Sequence, residues 1–212
     1  MDFEAARASL IEHLRREIRD ERVLGVMERI PRERFVPSES RYQAYEDRPL
    51  PIGEGQTISQ PFIVALMTQE MEIVAGQRVL ELGTGSGYQV AVLAELAGHV
   101  VSVERLPKLA HRARQILDEL GYTNIEIHLA EKAMGWPAAA PYEAIMVTAG
   151  APKIPQELLD QLAMGGRLVI PVGSRYEQEL VKVTKRQDRD LVEKLGACRF
   201  VPLIGDGAWE EE

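Results

Sequence analysis

Hydrophobic and polar positions change period several times along the chain, and each change marks an element. Over residues 3–20, Leu10, Ile11, Leu14 and Ile18 recur at three- and four-residue spacing while Arg15, Arg16 and Arg19 fall elsewhere, which predicts an amphipathic helix. Val23, Leu24, Met27 and Ile30 continue the pattern in a shorter helix that Pro31 stops. The period is then lost. Residues 31–61 hold Pro37, Pro49, Pro51, Gly53 and Gly55, which break any long element, yet Phe35, Val36, Leu50, Ile52 and Ile58 argue against disorder. A structured loop with short helical turns is expected, and a loop of this length in a compact chain is a candidate wall of a functional site.

From residue 61 onward, helical and strand patterns alternate. Pro61 opens a helix with Ile63, Val64, Leu66, Met67 and Met71 on its apolar side, and Ser59 or Gln60 as its cap. Apolar runs at residues 78–82, 99–104, 125–129, 142–148 and 167–172 read as buried strands, separated by helical patterns at 88–96, 107–120 and 155–162. This predicts an α/β protein: a three-layer, doubly wound, mostly parallel sheet with helices on both faces. The end of the chain differs. Residues 179–185 alternate like a half-exposed strand, a polar turn follows at 187–190, and strand-like runs at 191–195 and 200–203 complete an antiparallel hairpin expected on the sheet edge. Trp209, Glu210, Glu211 and Glu212 read as a mobile tail. The expected organisation is one domain, with an N-terminal helical and loop extension (1–60), an α/β core (61–174) and the hairpin and tail (175–212).

The chemistry concentrates where the first core strand ends. R-V-L-E-L-G-T-G-S-G at residues 78–87 passes from strand to helix through Gly83, Gly85 and Gly87. Glycines there let backbone approach a ligand, and the helix N-terminus beyond offers free N–H groups, so a nucleotide-like cofactor is expected. Glu104 ends the next strand, where a carboxylate accepts hydrogen bonds from ribose hydroxyls. The dinucleotide fingerprint wants G-x-G-x-x-G, whereas this chain has G-x-G-x-G with Tyr88 at the sixth position. Glu81, just before the glycines, would repel a pyrophosphate and suit the cationic end of S-adenosylmethionine, directly or through water. Methyl transfer is therefore favoured over hydride transfer, with a nicotinamide-dependent oxidoreductase as the lesser alternative. Local chemistry alone makes Ser59 a helix cap.

Composition narrows the partners. Against 33 Asp and Glu stand 25 Lys and Arg, a net charge of -8, which disfavours nucleic acid. The single cysteine, Cys198, cannot form an intrachain disulfide and reads as a small buried side chain in a reducing compartment. No stretch approaches the ~18 apolar residues of a membrane span, and the N-terminus lacks a signal-peptide core, so the cytoplasm, with no membrane partner, is expected. No metal is called for, His13, His99, His111 and His128 read as structural, and the composition is compatible with a monomer.

At the level of whole motifs the chain resembles the protein-L-isoaspartate O-methyltransferases. The segments that carry this are P-R-E-R-F-V-P (31–37), G-E-G-Q-T-I-S-Q-P (53–61), V-L-E-L-G-T-G-S-G-Y (79–88), P-Y-E-A-I-M-V-T-A (141–149), G-G-R-L-V-I-P-V-G (165–173) and R-F-V-P-L (199–203). The resemblance implies a class I methyltransferase fold and S-adenosylmethionine as cofactor. It implies isoaspartyl-containing proteins and peptides as substrates. It makes Ser59 the active-site hydroxyl, with Thr57 and Ile58 on the same cofactor-facing loop, Gly83, Gly85 and Gly87 the cofactor turn, Glu104 the ribose acid and Arg105 its neighbour. The family's Gly-Asp-Gly after the third core strand is replaced here by Ala130, Glu131 and Lys132. Glu131 is expected to accept the adenine hydrogen bond in place of the usual acid, beside Lys132, and a family-like binding module with weak or altered activity is the alternative that this substitution raises.

Overall fold

The computed structural model describes residues 2–210. Its centre is a seven-stranded sheet in the order β5-β4-β3-β6-β7-β8-β9. The parallel part is β3 (Arg78–Leu82), β4 (His99–Glu104), β5 (Ile125–Leu129), β6 (Tyr142–Val147) and the start of the sheet's reversal, β7 (Leu162–Gly173). β8 (Gln178–Thr184) and β9 (Leu191–Cys198) run antiparallel beyond β7, the expected edge hairpin. Alternation along β3 sorts the two faces: Val79 joins one apolar cluster and Leu80 and Leu82 the other. The face with Val79, Val100, Met146 and Val169 is covered by α3 (Pro61–Glu70), α4 (Tyr88–Leu96) and α5 (Pro107–Glu119). The opposite face, with Leu80, Ile145 and Ile170, is closed by α6 (Gln156–Gln161) and the irregular segment carrying Met134 and Trp136. Helices do lie on both faces, but unequally.

The N-terminal region forms a further layer, in which α1 (Phe3–Leu14) packs on α2 (Glu21–Arg29) and α2 packs on α3 and α4. The helix expected over residues 3–20 ends at Leu14, residues 15–20 turn the chain, and α2 is the second helix that the pattern predicts. Asp20 accepts a hydrogen bond from the Arg22 N–H and begins a new helix there, although Ile18 stays 1% exposed between them.

Residues 31–61 are ordered, as their apolar content demands, but they hold more than helical turns. Two short 3-10 turns, Arg32–Phe35 and Ser38–Gln43, lead into an antiparallel hairpin of β1 (Leu50–Gly53) and β2 (Gln56–Ile58). Its two-residue turn places Glu54 at φ 51 and Gly55 at φ 70, the left-handed pair that a tight hairpin takes. Leu50, Ile52 and Ile58 are buried beneath it, and Arg112 on α5 donates to the Ile52 carbonyl at 3.1 Å. Pro51 and the flanking glycines hide this hairpin from a periodicity reading.

At the other end of the chain, residues 200–203 are not a strand. Val201 accepts a hydrogen bond from Gly150 N–H at 2.8 Å and Leu203 N–H returns one to the Gly150 carbonyl at 2.9 Å, so the segment crosses the end of the sheet. Trp209 is anchored rather than mobile: its indole N–H donates to the Gly150 carbonyl at 3.1 Å and Arg175 lies 5.0 Å over its ring. Glu211 and Glu212 lie outside the described residues.

Candidate active site

The chain leaves β3, runs out to β5 on one side and returns to β6 on the other, so the connections leaving β3 and β6 part at the carboxyl end of the sheet. Open α/β sheets bind ligands at such a divergence. The ladder's last bonds are Gly83 N–H to the Val103 carbonyl at 2.8 Å and Thr148 N–H to the Leu82 carbonyl at 2.9 Å. Beyond them the strands separate, and a cavity opens between the strand ends and the loops.

Its floor is the glycine turn. Gly83 has φ 101, and a Cβ there would stand 2.3 Å from Thr148 Oγ1, so no side chain fits. The Thr148 hydroxyl instead donates to the carbonyls of Leu82 and Gly83, at 2.9 and 2.8 Å, and pins the turn. Glu104 is 6% exposed and uses both oxygens on backbone: Oε2 accepts from Gly85 N–H at 2.7 Å and Oε1 from Leu106 N–H at 2.9 Å. Each oxygen keeps a second lone-pair direction, and Glu104 lines the cavity. Arg105, Glu131 and Lys132 line it as well, on the connections after β4 and β5.

Two expected cofactor residues do not reach this space. Gly87 is the N-cap of α4 at φ 87, and a Cβ on it would meet Ala113 Cβ at 3.1 Å, so it lets α4 and α5 pack closely. Glu81 points to the helix-covered face and is 0% exposed. Its Oε2 accepts from the Ser102 hydroxyl at 2.6 Å, Ser102 lies 2.6 Å from the Thr84 hydroxyl, and Oε1 has no partner among the described residues. Burial, reinforced by the nearby Glu104 charge and opposed by the Ser102 hydrogen bond, pushes the Glu81 carboxyl up to about 8. At pH 7 its neutral form prevails, so Glu81 offers no direct negative charge to a cationic ligand. It braces the turn from behind through Ser102 and Thr84.

The opposite wall carries Thr57, Ile58 and Ser59, which all line the cavity. Ser59 does not cap α3. The N-cap is Gln60, without a side-chain bond, and the Phe62 N–H is satisfied by Asp47 Oδ1 at 2.8 Å, from fifteen residues earlier in the chain. What holds Ser59 is Arg32, 0% exposed, whose Nη2 donates to the Ser59 carbonyl at 2.7 Å and whose Nε donates to the Ala44 carbonyl at 2.8 Å. Its guanidinium lies 4.7 Å over the ring of Tyr88, the first residue of α4. One buried cation thus ties the Ser59 loop to the helix that begins after the glycine turn. Nη1 finds no partner among the described residues, and burial lowers the arginine's pKa. In sequence Arg32 is one charged residue of P-R-E-R-F-V-P, and nothing local to it signals its burial. The segment from Val201 to Asp206, which also lines the cavity, gave no chemical signal beyond its motif.

The geometry admits an adenosyl ligand. The turn is open where side chains would intrude, a partly committed carboxylate flanks it, and a hydroxyl-bearing loop faces it. Known proteins agree. A family described as protein-L-isoaspartate(D-aspartate) O-methyltransferase matches residues 5–208. The chain is 59% identical over 197 residues to the protein-L-isoaspartate O-methyltransferase of Methanoculleus marisnigri, covering 93% of this chain and 90% of that one. It is 54% identical over 212 residues to protein-L-isoaspartate O-methyltransferase 1 of Syntrophobacter fumaroxidans, with 99% of each covered. Among solved structures, a protein-L-isoaspartate O-methyltransferase superimposes with a TM-score of 0.86 at 30% identity, covering 95% of this chain and 67% of that one. A Plasmodium falciparum beta-aspartate methyltransferase in complex with S-adenosyl-L-homocysteine gives 0.79 at 27% identity, covering 91% and 95%. Fold, cavity and motifs converge, and the chain belongs to the protein-L-isoaspartate(D-aspartate) O-methyltransferase family.

Proposed function

We propose that this protein methylates the free α-carboxylate of L-isoaspartyl residues in damaged proteins and peptides, with S-adenosylmethionine as the donor. The observation that carries the reading is the meeting, in one cavity, of the glycine turn with Glu104 on the floor and Ser59 on the wall, in a chain that matches the family over residues 5–208. S-adenosylmethionine, when bound, supplies an electrophilic methyl group. The protein's residues do the rest by placement. A carboxylate nucleophile is ionised at neutral pH, so no general base is needed. Ser59 donates one hydrogen bond that orients the carboxylate oxygen, and the Arg32 clamp fixes the backbone carrying that hydroxyl. Glu104 takes the ribose hydroxyls while holding the turn, and Glu131 takes the adenine amino group at the rim. Apolar Ile58, Leu82, Val103 and Leu203 on the cavity wall exclude water from the reacting oxygen.

The test is methyl transfer to an isoaspartyl peptide beside its normal aspartyl counterpart, with Ser59→Ala as the variant. Transfer to the isoaspartyl peptide alone is expected. Ser59→Ala is expected to lower kcat by about 10–100-fold with affinity for S-adenosylhomocysteine unchanged, the size of a lost orienting contact. Absence of transfer to either peptide would defeat the reading.

A further inference from the structure

The cavity wall contains a peptide bond of the kind that such an enzyme exists to repair. Asp206 is followed by Gly207, both are exposed, and Asp206 lines the cavity beside Leu203 and Ile204. Isoaspartate forms when a backbone amide nitrogen reaches the preceding aspartate side chain. That needs an unshielded nitrogen, an untethered carboxyl and a backbone free to turn. Gly207 has no Cβ beside its nitrogen and sits at φ +76 in the left-handed region. The neighbouring backbone N–H groups of Gly205, Ala208 and Trp209 all donate to carbonyls, whereas Gly207 N–H donates to none among the described residues.

Three other candidate positions are blocked. Asp47 has its carboxylate on the Phe62 N–H and Arg48 after it, and Asp20 is held by Arg22 and followed by Glu21. Asn124 donates its amide to the Ala94 carbonyl at 2.9 Å and precedes Ile125, a buried, β-branched residue of β5.

We propose that Asp206-Gly207 is a site of spontaneous isomerisation in this protein, and that the isoaspartate formed there is a substrate for other copies of the same enzyme. The inference rests on the isoaspartyl reading above. In the first step Gly207 N bonds to the Asp206 side-chain carboxyl carbon, a C–O bond of that carboxyl breaks, and water leaves to give a cyclic imide. Water then adds to the imide at the former backbone carbonyl and the bond from that carbon to nitrogen breaks. The chain now runs through the side-chain carbon and a free α-carboxylate remains, with no net reagent consumed. This carboxylate accepts the methyl group, and the ester closes back to the imide with loss of methanol. Repair is in trans because the loop is fastened across its own sheet by Leu203, Gly150 and Trp209, which keeps residue 206 on the wall rather than over the floor.

The experiment ages the full-length protein without cofactor at physiological temperature, and locates isoaspartate by resistance to aspartate-specific proteolysis and fragmentation mass spectrometry. Fresh enzyme, labelled S-adenosylmethionine and a control isoaspartyl peptide are then added. Isoaspartate is expected at position 206 at about tenfold the level of any other aspartate, reflecting the glycine that follows it. Label is expected on the same residue, at a rate that rises with the amount of fresh enzyme. Asp206→Glu, which would need a larger ring, and Asp206→Ser, which has no carboxyl, are both expected to abolish isomerisation and label at this position. Isomerisation spread evenly over other aspartates, or damage at 206 that stays unlabelled while the peptide is methylated, overturns the proposal. If the peptide itself takes no label, the underlying isoaspartyl reading fails instead, and the proteolytic map shows separately whether residue 206 isomerises.

Discussion

The floor and the wall of the cavity are built by different means. The floor is carried on strand ends: Gly83, Thr148, Glu104 and Gly85 are fixed by hydrogen bonds that continue the sheet ladder or leave it within a residue or two. The wall is carried on loops and is placed by contacts remote in sequence, from Arg32 to Ser59, Asp47 to Phe62 and Trp209 to Gly150. Position on the floor is therefore set by strand register, and position on the wall by a few long-range ties. Changes to the floor should act on stability and cofactor affinity, and changes to the wall on turnover.

The largest effect is expected at the floor. Gly83→Ala must place a methyl group 2.3 Å from Thr148 Oγ1 at φ 101, which should cost more than about 4 kcal/mol through strain and displacement. Affinity for S-adenosylhomocysteine, measured by calorimetry, should fall by about 100-fold or more. Near-normal affinity with lost turnover would break the comparison.

Arg32→Met tests the wall. It strips the Ser59 and Ala44 carbonyls of their donor and should destabilise by about 2–4 kcal/mol, as loss of buried charged-group hydrogen bonds does. Its kcat should fall by about tenfold with S-adenosylhomocysteine affinity held, and combining it with Ser59→Ala should add little further, because one acts through the other. A stability-matched variant of α2, Met27→Ala, should keep its kcat. Equal losses in both would make Arg32 a stability element alone.

Glu81→Gln should have the smallest effect on affinity and turnover, and it sharpens the floor's electrostatics. Folding holds a proton on Glu81 up to about pH 8, whereas the unfolded side chain loses it near its ordinary value of 4.5. The folded state thus binds more protons between those values, and this group's contribution to stability falls as pH rises through that window. Glutamine removes the dependence. Thermal melts should show Glu81→Gln gaining stability over the parent at pH 8 and matching it near pH 4. A gap that does not vary with pH would show that Glu81 is charged throughout.

The same contrast explains what could be read in advance. β3, β4 and β6 were legible as short apolar runs and β5 by the alternation of Ile125, Ile127 and Leu129, and the glycine turn sits where local spacing puts it. The hairpin of β1 and β2 was not, because Pro51 and Gly53 suppress the alternation that its buried Leu50, Ile52 and Ile58 still satisfy. Ser59 looked like a cap because no local rule reveals that Asp47 meets the helix end across the loop. Arg32 gave no signal in the sequence because only the folded chain surrounds it with Tyr88 and two carbonyls. Glu81 was placed at the right turn and on the wrong side of it: strand alternation aims it at Ser102, away from the cavity.

The two backbone bonds on Glu104 have a kinetic consequence. A carboxylate whose oxygens are already seated has almost nothing to rearrange when a ligand hydroxyl approaches it, so its side of an encounter is a matter of diffusion and desolvation. The wall has no such seat: its residues sit on loops held by a few remote contacts, and loop segments move on a clock of nanoseconds to microseconds or slower. The side held by the sheet is set before any ligand arrives, and the side held by loops is where the chain keeps its freedom to adjust.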